Sequence, residues 1–134
     1  MGIVSPLYPL ISNLSVVQNV ALIKEYHVRW PRRKAEGFVM DLLKRLGMEE
    51  IGWKRNPSLT PGERFIAMFL RALMMEGGKI VIDRPFLIMP DLERIDFIIK
   101  TLQTVEESFN YVLILDYLWN RERYEGLEDE ASVR

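Results

Sequence analysis

The apolar residues of this chain follow two different periods. Lys79-Ile80-Val81-Ile82-Asp83 and Tyr111-Val112-Leu113-Ile114-Leu115-Asp116 are continuous apolar runs that end in an acid. Short runs of that kind predict strands buried on both faces. Between them Leu92, Ile95, Ile99 and Leu102 recur at helical spacing, with Asp91 placed to cap the helix they predict. A strand, a helix and a second strand in that order form a crossover unit, which implies parallel pairing. A further short strand is expected over Met1–Val4, ended by the loop-forming Ser5, Pro6 and Pro9.

The segment between these strands is patterned for helices. Ser15 and Gln18 have the spacing of a capping box, so a helix is expected from there to about Tyr26, burying Val16, Val17, Val20, Ala21 and Ile23. Pro31 suits the first turn of a second helix. Its stripe is Ala35, Phe38, Val39, Leu42, Leu43 and Leu46, and Gly47 provides a left-handed end. Thr60-Pro61-Gly62-Glu63 is a second capping box with proline at the first helical position. The helix that follows should run to Met75, with Met74 and Met75 in the core, and stop at Gly77-Gly78. The fold class expected is α/β, with residues 12–76 mainly helical, residues 77–124 a strand–helix–strand unit, and residues 125–134 an acidic, flexible tail.

Composition narrows the chemistry. The 134 residues suit one domain, and 49% hydrophobic with 28% charged residues is the balance of a globular protein. A net charge of -1 supplies no global field for nucleic acid. With no cysteine and one histidine, His27, thiolate chemistry and paired-histidine metal sites are excluded. No metal ligand set is assigned. The richest apolar run, Phe65–Met75, is interrupted by Arg71 and is too short to span a bilayer. A cytoplasmic protein, peripheral to a membrane at most, is the expectation.

The same segments, in the same order, resemble an ABC-transporter ATPase domain whose N-terminal third is missing. Leu59-Thr60-Pro61-Gly62-Glu63 is similar to the family's signature motif L-S-G-G-E/Q, and Ala67 with Arg71-Ala72-Leu73 resembles the helix behind it. Ile80-Val81-Ile82-Asp83-Arg84-Pro85-Phe86 resembles a Walker B segment. Asn13–Leu22 is similar to the helix that follows the family's Q-loop, and Leu42–Met48 to a phrase of its helical subdomain. The phrases at Leu10–Leu22 and Asp83–Phe86 are nearest to the lipid-trafficking, toluene-tolerance branch. The resemblance implies a partial P-loop ATPase fold with about three parallel strands. Tyr111–Asp116 would then be an open sheet edge, to be covered by a partner or by the segment Leu118–Tyr124.

The departures from the family pattern concern the chemistry. No G-x-x-x-x-G-K-[ST] occurs in the sequence. Pro6 stands at the Q-loop glutamine, Arg84 at the catalytic glutamate, Tyr117 at the switch histidine, and Pro90, beside Asp91, at the D-loop aspartate. Pro61 replaces a signature glycine and removes one amide from the helix start. No catalytic residue is therefore expected, and no cofactor for the chain alone; ATP and magnesium would enter only with a partner chain. By resemblance the nucleotide-facing candidates are Thr60, Gly62, Glu63 and Asp83. For Thr60–Glu63 the competing reading is a capped helix, and for Asp83 a strand-end ion pair with Arg84.

The resemblance also points to Leu7, Tyr8 and Leu10 as facing a permease or a second chain, against the alternative that they pack on the core. Arg29, Arg32 and Arg33, with Trp30 and Lys34, form a basic cluster that could meet anionic headgroups or a partner, or be a solvated helix start. The functional expectation is a non-catalytic ABC-ATPase-like subunit, an interaction or regulatory module of a transport system. It would act as a homodimer or in complex with another ABC-type chain or a permease. The alternative is half of a split ATPase whose phosphate loop lies on another polypeptide.

Overall fold

The computed structural model describes residues 1–125. The acidic tail expected at the end of the chain falls, from residue 126 onward, outside the described residues. Strand β1 (Gly2–Val4) is followed by helices α1 (Val16–His27), α2 (Arg32–Arg45) and α3 (Pro61–Leu73). Strand β2 (Lys79–Asp83) leads into the single turn α4 (Pro85–Ile88), then α5 (Asp96–Thr104) and β3 (Tyr111–Leu115). Short 3-10 turns lie at Glu49–Ile51, Asn56–Ser58, Glu106–Ser108 and Leu118–Tyr124.

The sheet order is β1-β2-β3 and both pairings are parallel. Gly2 aligns with Ile80 and Val4 with Ile82; Lys79 aligns with Tyr111 and Asp83 with Leu115. All three strands therefore end on the same side, which gathers Ser5, Asp83 and Asp116 along one rim. Among the described residues no strand pairs with the outer edge of β3.

Both capping boxes form. Ser15 Oγ accepts from the Gln18 amide at 3.1 Å while Gln18 Oε1 accepts from the Ser15 amide at 2.8 Å. Helix α3 is the spine of the fold. Phe65, Ile66, Ala67, Phe69 and Leu70 on it are buried, and it packs on α1, on β1 and on α4. Phe65 stacks on Phe69 and meets Phe97 of α5 edge-on. One continuous apolar cluster runs from Val4 to Tyr124. Asn19 is buried in α1, where its side chain takes the Ile11 amide and donates to the carbonyls of Ile11, Leu14 and Ser15. That clamp holds the loop between β1 and α1.

Several expectations are corrected. Asp91 caps no helix: it lies in a turn whose Leu92 amide bonds Met89, and α5 starts only at Asp96. The Ile95 amide is taken by the Arg123 carbonyl, so the Leu118–Tyr124 segment is tied to the start of this helix. Pro31 is the residue before α2 rather than its first turn, and α3 stops at Leu73 with Met74 as a buried cap. Phe38, expected in the core stripe, is exposed and packs edge-on against Trp30. The segment Leu118–Tyr124 does not pair with β3. It turns across the strand ends, where Tyr124 meets Phe86 edge-on and donates to Asp116.

Candidate functional site

The rim of the sheet holds the main polar cluster. Asp83 ends β2, and its carboxylate is occupied on both oxygens. Arg84 Nε donates to Oδ1 at 2.9 Å and Arg84 Nη2 to Oδ2 at 3.1 Å. Ser5, buried just past β1, donates its hydroxyl to Oδ2 at 2.8 Å. Two adjacent parallel strands thus end on one carboxylate. The Arg84 guanidinium holds Asp83 below the usual aspartate range, with the Ser5 hydroxyl adding to this and partial burial opposing it.

Arg84 reaches this position through a left-handed backbone, φ 46° and ψ 61°. Its amide donates to the Leu115 carbonyl at 2.7 Å, which ties the turn to β3. Its remaining Nη1 donates to the Tyr117 hydroxyl at 3.1 Å, and the Tyr117 ring stacks on Trp119 with 4.1 Å between centroids. Asp83 and Tyr117 together raise the Arg84 pKa still further, so its charge is fixed. Beside this network Asp116 is buried and accepts from the Tyr117 amide, Asn120 and Tyr124. Burial, then the bond to Asp116, pushes the Tyr124 phenol upward.

The second candidate group, Thr60–Glu63, begins α3. Thr60 Oγ1 accepts from the Glu63 amide at 3.2 Å and Glu63 Oε1 accepts from the Thr60 amide at 3.0 Å. Lys54 Nζ lies 3.6 Å from the same Glu63 oxygen. Gly62 faces Phe97 across a shallow pocket of about 220 Å³ that Asp91 and Met89 also line. This group shares no hydrogen-bond partner with Asp83.

The loop after β1 separates the three partner-facing candidates. Leu7 and Tyr8 are 70% and 55% exposed, and they border an open groove of about 490 Å³ with Met1, Ile3, Ile23 and Met75. Leu10 is 4% exposed and belongs to the core, because the Asn19 clamp on Ile11 draws the loop inward there. Arg71 fixes the outer part by donating to the carbonyls of Tyr8 and Pro9. Arg29, Arg32 and Arg33 are exposed. Arg29 has φ 57°, and Arg32 pairs with Glu36.

Sequence reasoning missed Ser5 as a ligand of Asp83. A polar residue at the end of a predicted strand was the available signal. Tyr117 stands out in sequence by its position just past the end of β3, whereas its bond to Arg84 depends on the three-dimensional turn between them.

The arrangement of these elements is that of part of an ABC-transporter ATPase domain. The chain superposes on the dimeric structure of MJ0796, a bacterial ABC transporter cassette, with a TM-score of 0.67 at 20% identity, covering 93% of this chain and 56% of that one. It also matches cbiO1 from Clostridium perfringens, part of the ABC transporter complex cbiONQ, with a TM-score of 0.60 at 22% identity, covering 84% and 45%. At those identities the likeness establishes the fold. In sequence the chain is similar to the Fe(3+) ions import ATP-binding protein FbpC 2 of Rhizobium meliloti, 31% identical over 84 residues. It is also similar to the sulfate/thiosulfate import ATP-binding protein CysA of Xylella fastidiosa, 28% identical over 89 residues. These matches take in 63% and 64% of this chain but only 21% and 26% of the relatives. No family model matches the chain. Among the described residues no helix is long and apolar enough to cross a membrane.

Proposed function

We propose that this chain is a non-catalytic ABC-ATPase-like module that serves a transport system through its contacts rather than through ATP hydrolysis. The observation that carries the reading is the state of Asp83. In the family this position belongs to the magnesium site. Here both carboxylate oxygens are engaged by an arginine that follows in the sequence and is anchored by Leu115 and Tyr117. The residues present do not fit a magnesium ion at Asp83, because a fixed cation already neutralises it. Arg84 also cannot serve as a general base, since it stays protonated. The two residues most similar to signature ligands, Thr60 and Glu63, spend their side chains on each other's amides.

The contact surface favoured for a partner is the groove beside Leu7 and Tyr8, which is open, largely apolar and held in shape by Arg71. A permease segment or a second ABC-type chain, met from the cytoplasmic side, is the partner proposed. Assignment to the lipid-trafficking branch rests on the phrases at residues 10–22 and 83–86 alone. A second reading is supported by the open outer edge of β3: a separate chain could add the phosphate-loop strand there and bring ATP and magnesium with it.

The test is ATP turnover by the purified chain in the presence of magnesium, with Arg84→Glu measured beside it. No turnover above background is expected from either protein. Turnover by the unmodified chain overturns the proposal. Turnover that arises only when a phosphate-loop-bearing chain is added, and rises with Arg84→Glu, replaces it with the split-ATPase reading.

A further inference from the structure

The tip of the α1–α2 pair carries a run of exposed cations with few acids beside it. Residues 26–34 read Tyr-His-Val-Arg-Trp-Pro-Arg-Arg-Lys. Tyr26 is 78% exposed, and His27, Arg29, Arg32, Arg33 and Lys34 are exposed with it. The acids nearby are Glu25 and Glu36, and Glu36 pairs with Arg32. Among the described residues Arg29, Arg33 and Lys34 have no ion-pair partner. Lys34 and Lys24 instead lie against the Trp30 ring, at 4.2 and 5.3 Å from its centroid. Phe38 packs edge-on to the same ring and is itself exposed.

The Arg32–Glu36 pair and the Trp30 contacts account for part of this arrangement and leave Arg29 and Arg33 outside it. Three cations in the first turn of α2 sit where the helix dipole disfavours positive charge, and no acid lies in that turn. Arg29 occupies a left-handed conformation that glycine or asparagine would adopt at less cost. The rest of the molecule offsets the local excess, since the whole chain has a net charge of -1.

We infer that this tip is a docking surface for an anionic lipid bilayer. Clustered cations with exposed aromatic side chains are the combination that seats at a membrane interface: the cations meet phosphate headgroups and the rings lie at the headgroup level. This inference does not depend on the function proposed above, because it concerns a surface separate from both the Asp83 cluster and the Leu7–Tyr8 groove.

The experiment is co-sedimentation of the full chain with vesicles of phosphatidylcholine alone and of phosphatidylcholine mixed with phosphatidylglycerol. Binding is expected only to the anionic vesicles, and it should weaken as salt is raised. Each basic residue near such a surface contributes about fivefold, so Arg29→Gly with Arg33→Gln should weaken binding roughly 30-fold. Glycine accepts the backbone conformation of Arg29, so this variant should fold. Lys79→Gln with Lys100→Gln makes the same change in net charge elsewhere and should bind as the unmodified chain does. Tyr26→Ser should weaken binding without any change in charge. Equal binding to both vesicle types, or equal loss in the Lys79/Lys100 control, overturns the inference.

Discussion

Substituting alanine at three glycines should give three different results, each set by the local geometry. The informative case is Gly2 in β1. A Cβ built there would lie 2.1 Å from the Ala72 carbonyl oxygen, 2.7 Å from its carbon and 2.8 Å from its Cα. All three are backbone atoms of α3, so no side chain can rotate away. Ordinary contact needs about 1 Å more, and β1 would have to retreat from α3 by that distance. Its pairs with Ile80, Val81 and Ile82 would be strained together, and Ser5 would be drawn from Asp83. The upper end of the cost of overpacking, about 3 kcal/mol, is the expected loss for Gly2→Ala. Gly37, in the exposed part of α2, has nothing within 4 Å of a built Cβ. There alanine should stabilise by about 0.5–1 kcal/mol through helix propensity. Gly47 is equally unobstructed but has φ 71°, so alanine should cost about 1 kcal/mol. Urea unfolding read by circular dichroism should rank the proteins Gly37→Ala, unmodified, Gly47→Ala, Gly2→Ala from most to least stable. A Gly2→Ala protein that unfolds at the unmodified midpoint would refute the close seating of β1 on α3.

Two further outcomes follow from the site and its loop. Asp83 has a lowered pKa in the folded state, so its ionised form stabilises the fold above the unfolded value of about 3.8, and that contribution is lost as the pH falls through the lower folded value. Asp83→Asn should therefore be least stable relative to the unmodified chain at neutral pH, with the gap closing below pH 3.8; a gap that is constant with pH in urea titrations would show that the pairing with Arg84 is energetically idle. Leu10→Ala should cost about 2–3 kcal/mol as a core truncation, whereas Leu7→Ala should stay within about 0.5 kcal/mol in the same assay, and equal effects would contradict their different burial.

The elements were legible wherever one local rule sufficed. Ser15 with Gln18 and Thr60 with Glu63 marked two helix starts because a capping box is a contact between residues three apart. Apolar runs ending in Asp83 and Asp116 marked β2 and β3, and the crossover rule supplied their parallel pairing. The misplaced start of α5 shows where such rules end. Asp91 has the chemistry of a cap, but the helix starts beyond it, at a residue whose neighbour Ile95 is bonded by the distant Arg123 carbonyl. Leu10 and Leu7 look alike in sequence, and what separates them is a loop path held by contacts from distant residues, Asn19 to Ile11 and Arg71 to Tyr8 and Pro9. At the site, the Asp83–Arg84 pair was readable from adjacency. The left-handed turn that lets Arg84 fold back, and the Ser5 hydroxyl that completes the contact, came only with the structure.

The pairing of β1 with β2 also has a meaning for how the chain assembles. Gly2 meets Ile80 and Ser5 meets Asp83 across 78 positions of sequence, with three helices in between. Closing a loop that long is an entropic cost met before any sheet bond repays it. The α1–α2 pair needs only the turn at residues 28–31 to form its contacts. The helical layer is thus the part that can assemble from near neighbours, and it provides the surface on which the two distant strands are brought together. Residues 2–4 are synthesised before residues 79–83 and must stay unpaired until those have followed, an interval in which a short strand is safer than a long one.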